Sequence, residues 1–264
     1  MKRIGIIGFG FMGEALVRGI HRLEQPPEIG VIEKSEERLR LARERYGCRD
    51  HGEDFGALFS QSEMVILAVK PQQAPELLPQ LKPVAGTTPV VSVLAGTTTG
   101  RIRELLGDRP VIRFMPNIAA QAGAAVVGVS FSEDTSTQLQ EDALRLAEAA
   151  GTAIILPESQ MSAITGLSGS GIAFVLHFIH ALALGGTRKG IPYTQSLEAA
   201  LGVVEGAASV LRESGVHPEE MVSRVCSPGG TTVEGILALE EGGLTAAVVD
   251  AVSRAAERAE ELER

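Results

Sequence analysis

The chain has 264 residues, of which 44% are hydrophobic and 22% are charged, and its formal net charge is -9. Such a composition is typical of a folded globular protein with one large domain or two small ones. An acidic chain repels nucleic acid phosphates and anionic membrane surfaces, so neither is an expected partner. Two cysteines and five histidines without a CxxC or HExxH pattern argue against a metal centre, and they favour the reducing cytoplasm.

Short apolar runs follow one another in the first part of the chain, and glycine, proline or charged residues close them. They alternate with helical patterns such as Glu36–Tyr46, in which Leu39, Leu41 and Ala42 share the inward face. Continuous apolar strands that alternate with helices predict a parallel sheet covered on both faces. The predicted strands are Ile4–Ile7, Ile29–Ile32, Met64–Val69, Val90–Leu94, Val111–Phe114, Val126–Val129 and Ala153–Leu156.

Strand patterns cease near residue 157. From Ser162 onward the pattern is helical, and it ends in an Ala-rich, charged helix over Thr245–Glu263. We therefore predict a Rossmann-type α/β domain with a parallel sheet over residues 1–157. Residues 158–264 are predicted to form an all-α domain that serves dimerisation. About one hundred helical residues bury limited surface alone, so a homodimer is favoured over a monomer with a helical cap.

A G-x-G-x-x-G pattern follows the first apolar run and opens a helix, which is the context that dinucleotide binding requires. The first glycine permits a tight turn, the second lets a pyrophosphate approach the backbone, and the third lets helix and strand pack closely. The start of the helix offers free N–H groups to the phosphates. The alternative is a plain glycine-rich turn. The pattern comprises Gly8, Phe9, Gly10, Phe11, Met12 and Gly13.

Glu33 closes the second apolar run, twenty positions beyond Gly13. An acid at this distance typically binds the adenosine ribose hydroxyls, which slightly favours NADH over NADPH. Lys34, Ser35 and Arg38 lie beside it and could bind a 2′-phosphate instead. Glu33 could also be a solvated carboxylate at a strand end.

Several further segments of the chain share their sequence with one known family. Together with the glycine loop, these segments are Gly8–Gly13, Ala68–Gln72, Met115–Asn117, Ser168–Gly171, Ser227–Thr232 and Leu239–Gly243. On them the chain resembles pyrroline-5-carboxylate reductases over essentially its full length. Ser227–Thr232 is the most specific match, whereas Met-Pro-Asn alone would mean little. The chain has Ile118-Ala119, Ile172-Ala173-Phe174 and Cys226 where that family usually has Thr-Pro, Pro-Ala-Tyr and Thr.

The resemblance implies that residues 158–264 also form the substrate domain, and it implies the residues of the site. Ser227 and the backbone of the glycines and Thr231 would hold a carboxylate, and the Thr232 hydroxyl would act at the ring nitrogen. An ordinary helix N-cap is the alternative for this loop. Asn117 could instead be a turn residue, and Lys70 could merely follow a strand end. The implied substrate-binding residues are Ser227, Gly229, Gly230, Thr231 and Thr232. The implied cofactor-binding residues are Gly8–Gly13, Glu33, Lys34, Ala68, Val69, Lys70, Pro71 and Asn117.

The implied reaction is reduction of 1-pyrroline-5-carboxylate to L-proline with NAD(P)H, by a homodimer or a ring of dimers. One alternative is a reductase that acts on another imine or on a small carboxylate such as a β-hydroxyacid. A β-hydroxyacid enzyme would be expected to place a lysine on the first helix of its second domain, and here the first lysine after Ser168–Gly171 is Lys189. A dinucleotide-binding regulator without catalysis is the third possibility.

Overall fold

The computed structural model describes residues 1–263, which form two compact units. The first unit comprises Met1–Ser170 and the segment that begins at Ser253, and the second comprises Gly171–Val252. The first unit is discontinuous because the end of the C-terminal helix belongs to it. The predicted domains, 1–157 and 158–264, divide the chain at other positions, and they stay a proposal for its sequence domains.

The first unit is built on one eight-stranded sheet with helices on its faces. Its strand order is β3-β2-β1-β4-β5-β6-β7-β8, and all neighbouring pairs except β6 and β7 are parallel. The predicted Rossmann-type α/β fold is confirmed. The strands are β1 (Arg3–Ile7), β2 (Glu28–Ile32), β3 (Arg49–Asp50), β4 (Met64–Leu67), β5 (Val90–Ser92), β6 (Val111–Pro116), β7 (Ala125–Phe131) and β8 (Gly151–Ile155).

Both faces of the sheet are buried along its central strands, as the continuous apolar strands predict. On β4, Met64 and Ile66 belong to the hydrophobic core on one face, and Val65 and Leu67 belong to the core on the other. Successive side chains of a strand point to opposite faces, so an all-apolar strand needs a cover on each side. The cover comes from α1 (Phe11–Ile20), α2 (Glu36–Tyr46), α3 (Phe55–Gln61), α4 (Ala74–Leu81), α5 (Thr99–Leu106), α6 (Thr137–Glu148) and α7 (Met161–Ile164), and a π-helix covers Thr165–Ser170.

The sheet departs from the sequence prediction in the direction of one strand pair, in one additional strand and in several strand ends. β6 and β7 are antiparallel, with Pro116 opposite Val127, because the short 3₁₀ turn between them cannot make the long crossover that parallel pairing requires. The strand β3 was not predicted, since its two residues are exposed and carry no apolar pattern. β4 and β5 end at Leu67 and Ser92 instead of Val69 and Leu94.

A buried arginine fixes the end of the C-terminal helix to the sheet. Arg113 on β6 donates to Glu158 Oε1 at 2.6 Å and to Glu263 Oε1 at 2.9 Å, and only 4% of its side chain is exposed. Gly96 has a φ of +68°, and a Cβ there would lie 2.9 Å from the carbonyl oxygen of Leu262. The last helical turn is therefore part of the first unit's packing.

The second unit is all helical, as predicted. Its small core consists of Ile179, Ala183 and Ala200. A Cβ on Gly186 would lie 2.6 Å from Ser196 Oγ, so glycine lets α8 and α9 approach closely. The helices are α8 (Gly171–Arg188), α9 (Tyr193–Ser214), α10 (Pro218–Val225), α11 (Thr231–Glu241) and α12 (Leu244–Glu263), the last of which ends in the first unit.

Many large apolar side chains of the second unit are exposed in the single chain. Along α9 only Ser196 and Ala200 are buried, and Val203 is 61% exposed. Within the described residues, one helical stretch, Glu158–Arg188, is long and apolar enough to cross a membrane by length and composition. A single stretch of this kind is weak support for a span, since helices in soluble proteins also meet these criteria.

Candidate active site

The predicted cofactor-binding residues meet at one edge of the sheet. β1 lies between β2 and β4, so the chain runs outward on one side of β1 and then returns to its other side. Such a switch point leaves a crevice beyond the carboxyl ends of the strands, where ligands bind in open α/β sheets. Gly8 follows β1, Glu33 follows β2, and Ala68 follows β4. These predicted segments therefore lie together at one edge of the sheet.

Gly8 is required by its backbone geometry and by its neighbour. Its φ is +93°, and a Cβ there would lie 2.7 Å from the carbonyl oxygen of Ala68. Two backbone bonds fix this corner, from Gly8 N to the oxygen of Ile32 at 2.9 Å and from Ala68 N to the oxygen of Ile7 at 2.8 Å. The turn thus joins β1, β2 and β4, and a larger residue would displace it.

The other two glycines have different surroundings. A Cβ on Gly13 would lie 2.5 Å from the carbonyl oxygen of Gly8, whereas a Cβ on Gly10 would meet nothing within 4 Å. Gly10 is the N-cap of α1, without a side-chain cap. The first N–H groups of a helix lack partners within it. Open space in front of these donors fits a dinucleotide pyrophosphate.

The loop's other residues divide between core and surface. Phe9 is fully buried, Met12 is half-buried, and Phe11 is 48% exposed. Phe9 therefore anchors the loop to the core. The assignment of Phe9, Phe11 and Met12 to the cofactor stays a prediction.

Glu33 contacts the glycine loop directly, which the sequence did not reveal. Its Oε2 accepts a hydrogen bond from Phe9 N at 2.5 Å, and its Oε1 accepts one from Ser35 N at 2.8 Å. Each carboxylate oxygen has a second lone pair, so binding of ribose hydroxyls is compatible with both contacts. Glu33 fixes the loop, and the ribose role stays a prediction. Lys34 is exposed beside it.

A polar cluster behind the loop also went unpredicted. Glu14, in the first turn of α1, accepts hydrogen bonds from Arg38 NH1 at 2.9 Å and from Tyr46 Oη at 3.1 Å. Arg18 donates to Tyr46 Oη at 3.3 Å and to the carbonyl oxygen of Gln121 at 3.2 Å. The bond to Tyr46 is the largest cause that raises the pKa of Arg18. No spacing rule joins residues that lie 24 and 32 positions apart.

The segment after β4 begins beside Gly8 and ends at the surface. Ala68, Val69 and Pro71 are half-buried and Lys70 is exposed. Lys70 N donates to Gln73 Oε1 at 3.1 Å, which caps the 3₁₀ turn Pro71–Gln73. Local turn formation accounts for this backbone contact, and the contribution of Ala68–Pro71 to cofactor binding stays a prediction.

Asn117, at the carboxyl end of β6, is 7% exposed. Its Oδ1 accepts from Ala119 N at 3.1 Å, and its Nδ2 donates to the carbonyl oxygen of Ser168 at 3.2 Å. The side chain therefore begins the 3₁₀ turn Ile118–Ala122 and joins it to the π-helix. One N–H and one lone pair of the amide remain for a ligand. A cofactor contact by Asn117 stays a prediction.

The Ser227–Thr232 loop of the second unit forms the start of α11. Gly229 has a φ of +65°, and Gly230 N donates to the carbonyl oxygen of Ser227 at 3.0 Å. A Cβ on Gly230 would clash with Ser227 Oγ. The N-cap of α11 is Gly230, without a side-chain cap. The alternative of an ordinary Ser or Thr cap therefore does not describe this loop.

This helix start can bind an anion. Thr231 and Thr232 occupy the first two positions of α11, where backbone N–H groups have no partner within the helix. Ser227 is exposed and Thr232 half-buried, and both carry hydroxyls. Neutral dipoles arranged in this way attract a carboxylate without a fixed positive charge. The structure brings all five predicted substrate residues into this one turn.

Comparison with known proteins assigns both parts of the chain. Residues 158–262 match the family described as pyrroline-5-carboxylate reductase dimerisation, and residues 3–96 match the family of F420-dependent NADP oxidoreductases. The chain therefore carries a domain through which this family forms oligomers.

Individual relatives cover the whole chain. Pyrroline-5-carboxylate reductase of Methanosarcina acetivorans is 39% identical over 99% of this chain and 98% of its own, and that of Aquifex aeolicus is 36% identical over 98% and 97%. The solved structure of 1-pyrroline-5-carboxylate reductase from Streptococcus pyogenes has a TM-score of 0.87, with 33% identity and 98% of each chain covered. The chain belongs to the pyrroline-5-carboxylate reductase family.

Proposed function

We propose that this chain reduces 1-pyrroline-5-carboxylate to L-proline with NAD(P)H, which is the last step of proline biosynthesis. One observation carries the proposal: relatives named for this activity match the chain over at least 98% of its length, the Ser227–Thr232 turn included. We also propose that the enzyme is cytoplasmic and acts as a homodimer or as a ring of dimers. The many exposed apolar side chains of the second unit support a partner subunit.

The glycine loop would hold the cofactor, which supplies a hydride when it is bound. Free N–H groups at the start of α1 would bind the pyrophosphate, and Gly10 leaves the space that the phosphates need. Glu33 holds the loop through Phe9 N and would accept from the ribose hydroxyls. A carboxylate at that position disfavours a 2′-phosphate, so we propose that NADH is slightly preferred.

The Ser227–Thr232 turn would bind and orient the cyclic imine. Backbone N–H groups of Thr231 and Thr232, with the Ser227 hydroxyl, would hold the substrate carboxylate. The Thr232 hydroxyl would hydrogen-bond the ring nitrogen as it changes from imine to amine. Because the turn itself contains no Lys or Arg, it does not repel a protonated, cationic imine. Neutral donors therefore suit a substrate with charges of both signs.

The experiment is oxidation of NADH and NADPH by the purified protein with 1-pyrroline-5-carboxylate, with identification of proline as the product. The matched control substrate is 1-pyrroline, which has the same ring without the carboxylate. Turnover of the carboxylate alone supports both the reaction and the anion-binding turn. Equal turnover of both rings would point to another imine as the natural substrate. Tight dinucleotide binding without oxidation would instead favour a dinucleotide-binding regulator without catalysis.

A further inference from the structure

The polar cluster behind the glycine loop joins α1 to α2 through one carboxylate. Glu14 accepts from Arg38 NH1 at 2.9 Å and from Tyr46 Oη at 3.1 Å, and Arg18 lies 3.5 Å from it. Only 13% of the Glu14 side chain is exposed, compared with 38% for Arg38. A mostly buried carboxylate needs its partners, so the pair restrains the guanidinium strongly.

Arg38 lies where a cation could bind the 2′-phosphate of NADPH. It belongs to the first turn of α2, which begins shortly after Glu33 and Lys34, and its backbone N–H donates to Ser35 Oγ at 3.4 Å. Ribose recognition takes place at this end of β2, and an arginine nearby is the usual partner of the additional phosphate. Lys34 is exposed, whereas Arg38 is paired with a carboxylate of its own chain.

We propose that Glu14 is a positioning residue that sets the dinucleotide preference by holding Arg38. While Glu14 binds the guanidinium of Arg38, that positive charge cannot offset the repulsion between the additional phosphate of NADPH and the carboxylate of Glu33. Release of Arg38 would leave the Glu14 carboxylate with Tyr46 and Arg18 only, and that loss opposes the movement. The inference rests on the proposed function for its cofactor, and it adds a residue that does not itself touch the ribose.

The test is the ratio of the dissociation constants for NADPH and NADH, measured by the fluorescence of the reduced nicotinamide. Glu14→Gln keeps an acceptor for Tyr46 but cannot form an ion pair with Arg38. We expect NADPH to bind about tenfold more tightly relative to NADH, the effect of one hydrogen bond between charged groups. Adding Arg38→Ala to Glu14→Gln should abolish the gain, whereas Arg38→Ala alone should leave the ratio within about twofold.

Two controls separate positioning from damage to the fold. Tyr46→Phe removes the other hydrogen bond of Glu14 without freeing Arg38, so its ratio should match the wild type. Glu14→Asp keeps the charge but has a shorter side chain that cannot reach α2 as well, so it should shift the ratio in the same direction as Glu14→Gln. It replaces Glu14→Gln if that variant does not fold. A general structural defect would weaken both nucleotides equally and leave the ratio unchanged.

An unchanged ratio in the folded Glu14 variants would overturn the proposal. So would an effect of Arg38→Ala that is the same with and without Glu14, because the two residues would then act independently. The binding measurement contains no imine substrate. Failure of the proposed reaction would instead appear as absent turnover with unaltered binding, which keeps the two outcomes distinct. In active protein, the ratio of the KM values should follow the binding ratio while kcat stays constant.

Discussion

The two turns that we assign to cofactor and substrate are built differently, although both place glycine at a helix start. The glycine loop of the first unit lies on a buried strand and is fixed by Gly8, Phe9 and Glu33. The Ser227–Thr232 turn lies on exposed helices, and the core of its unit contains only three buried apolar side chains within the described residues. The first turn is shaped by its own unit. The second would need a partner subunit for comparable support.

The largest expected effect concerns the Ser227–Thr232 turn. Thr232→Ala removes the hydroxyl proposed for the ring nitrogen and should lower kcat about a hundredfold, the usual cost of one donor that acts in the transition state. Thr232→Ser is the matched control, because it keeps the hydroxyl and should retain most turnover. Steady-state rates with 1-pyrroline-5-carboxylate measure both. Equal losses in the two variants would assign Thr232 a packing role.

Two glycine substitutions test the glycine loop that we assign to the cofactor. Gly10→Ala adds a methyl group where the protein has open space, so stability should stay within about 0.5 kcal/mol while NADH affinity falls about tenfold. Gly8→Ala adds its methyl group 2.7 Å from the carbonyl oxygen of Ala68, at a positive φ. This variant should lose about 2 kcal/mol of unfolding free energy besides its binding.

Denaturation and nucleotide titration of the two glycine variants separate these outcomes. Unchanged NADH affinity in Gly10→Ala would show that the pyrophosphate does not approach that position.

The exposed helices of the second unit supply the next test. Val203→Glu places a charge on a side chain that is 61% exposed in the single chain, on a face that we expect to be buried between subunits. The variant should sediment as a smaller species and lose activity, since a buried unpaired charge is costly. Ser214→Glu, at the exposed end of the same helix, adds the same charge and should assemble normally. Unchanged assembly of Val203→Glu would exclude this face from the interface.

Two carboxylates of the C-terminal turn compare buried and exposed ion pairs. Glu263→Ala removes a partner of the buried Arg113 and should cost about 1–3 kcal/mol of unfolding free energy. Glu261→Ala breaks an exposed pair with Arg258 and should cost at most about 0.5 kcal/mol. Urea denaturation measures both. Equal costs would show that the buried pair contributes no more than a surface one.

The smallest effect concerns the two thiols. Burial raises the pKa of Cys48 to about 11, whereas Cys226 is half-buried next to the substrate turn. At pH 8 a thiol-specific disulfide reagent should label Cys226 first and Cys48 far more slowly, because only the thiolate reacts. Denaturation should make both thiols react together. Equal rates in the native protein would mean that the interior of the first unit opens readily.

Local chemistry explains what could be predicted from the sequence. The helix Glu36–Tyr46 has the predicted bounds because Ser35 caps its start and Gly47 ends it with a φ of 61°. The turn and helix start at the glycine loop were also predictable, since the G-x-G-x-x-G spacing that produces them is local. The direction of β7 was not, because an apolar run looks the same in either orientation.

The contacts of Glu14 and Glu33 could not be predicted, because they depend on how the chain folds back on itself. A carboxylate after β2 suggests a ligand contact by its position alone, but nothing in the sequence shows that it binds Phe9 N. The same holds for Glu14 and Arg38, whose pairing follows from the packing of α1 against α2. Tertiary contacts of this kind decide which cations remain for a cofactor.

The discontinuous first unit constrains how this protein can acquire its structure. Residues from Ser253 onward complete the packing of this unit, so Glu263 can meet Arg113 only after the whole second unit has been translated. Until then the nascent sheet carries a buried arginine with one of its two carboxylates missing. A fragment that stops at Ser170 would have the same defect permanently. We therefore expect it to be a less stable protein than a fragment in which a short linker joins Ser170 to Ser253.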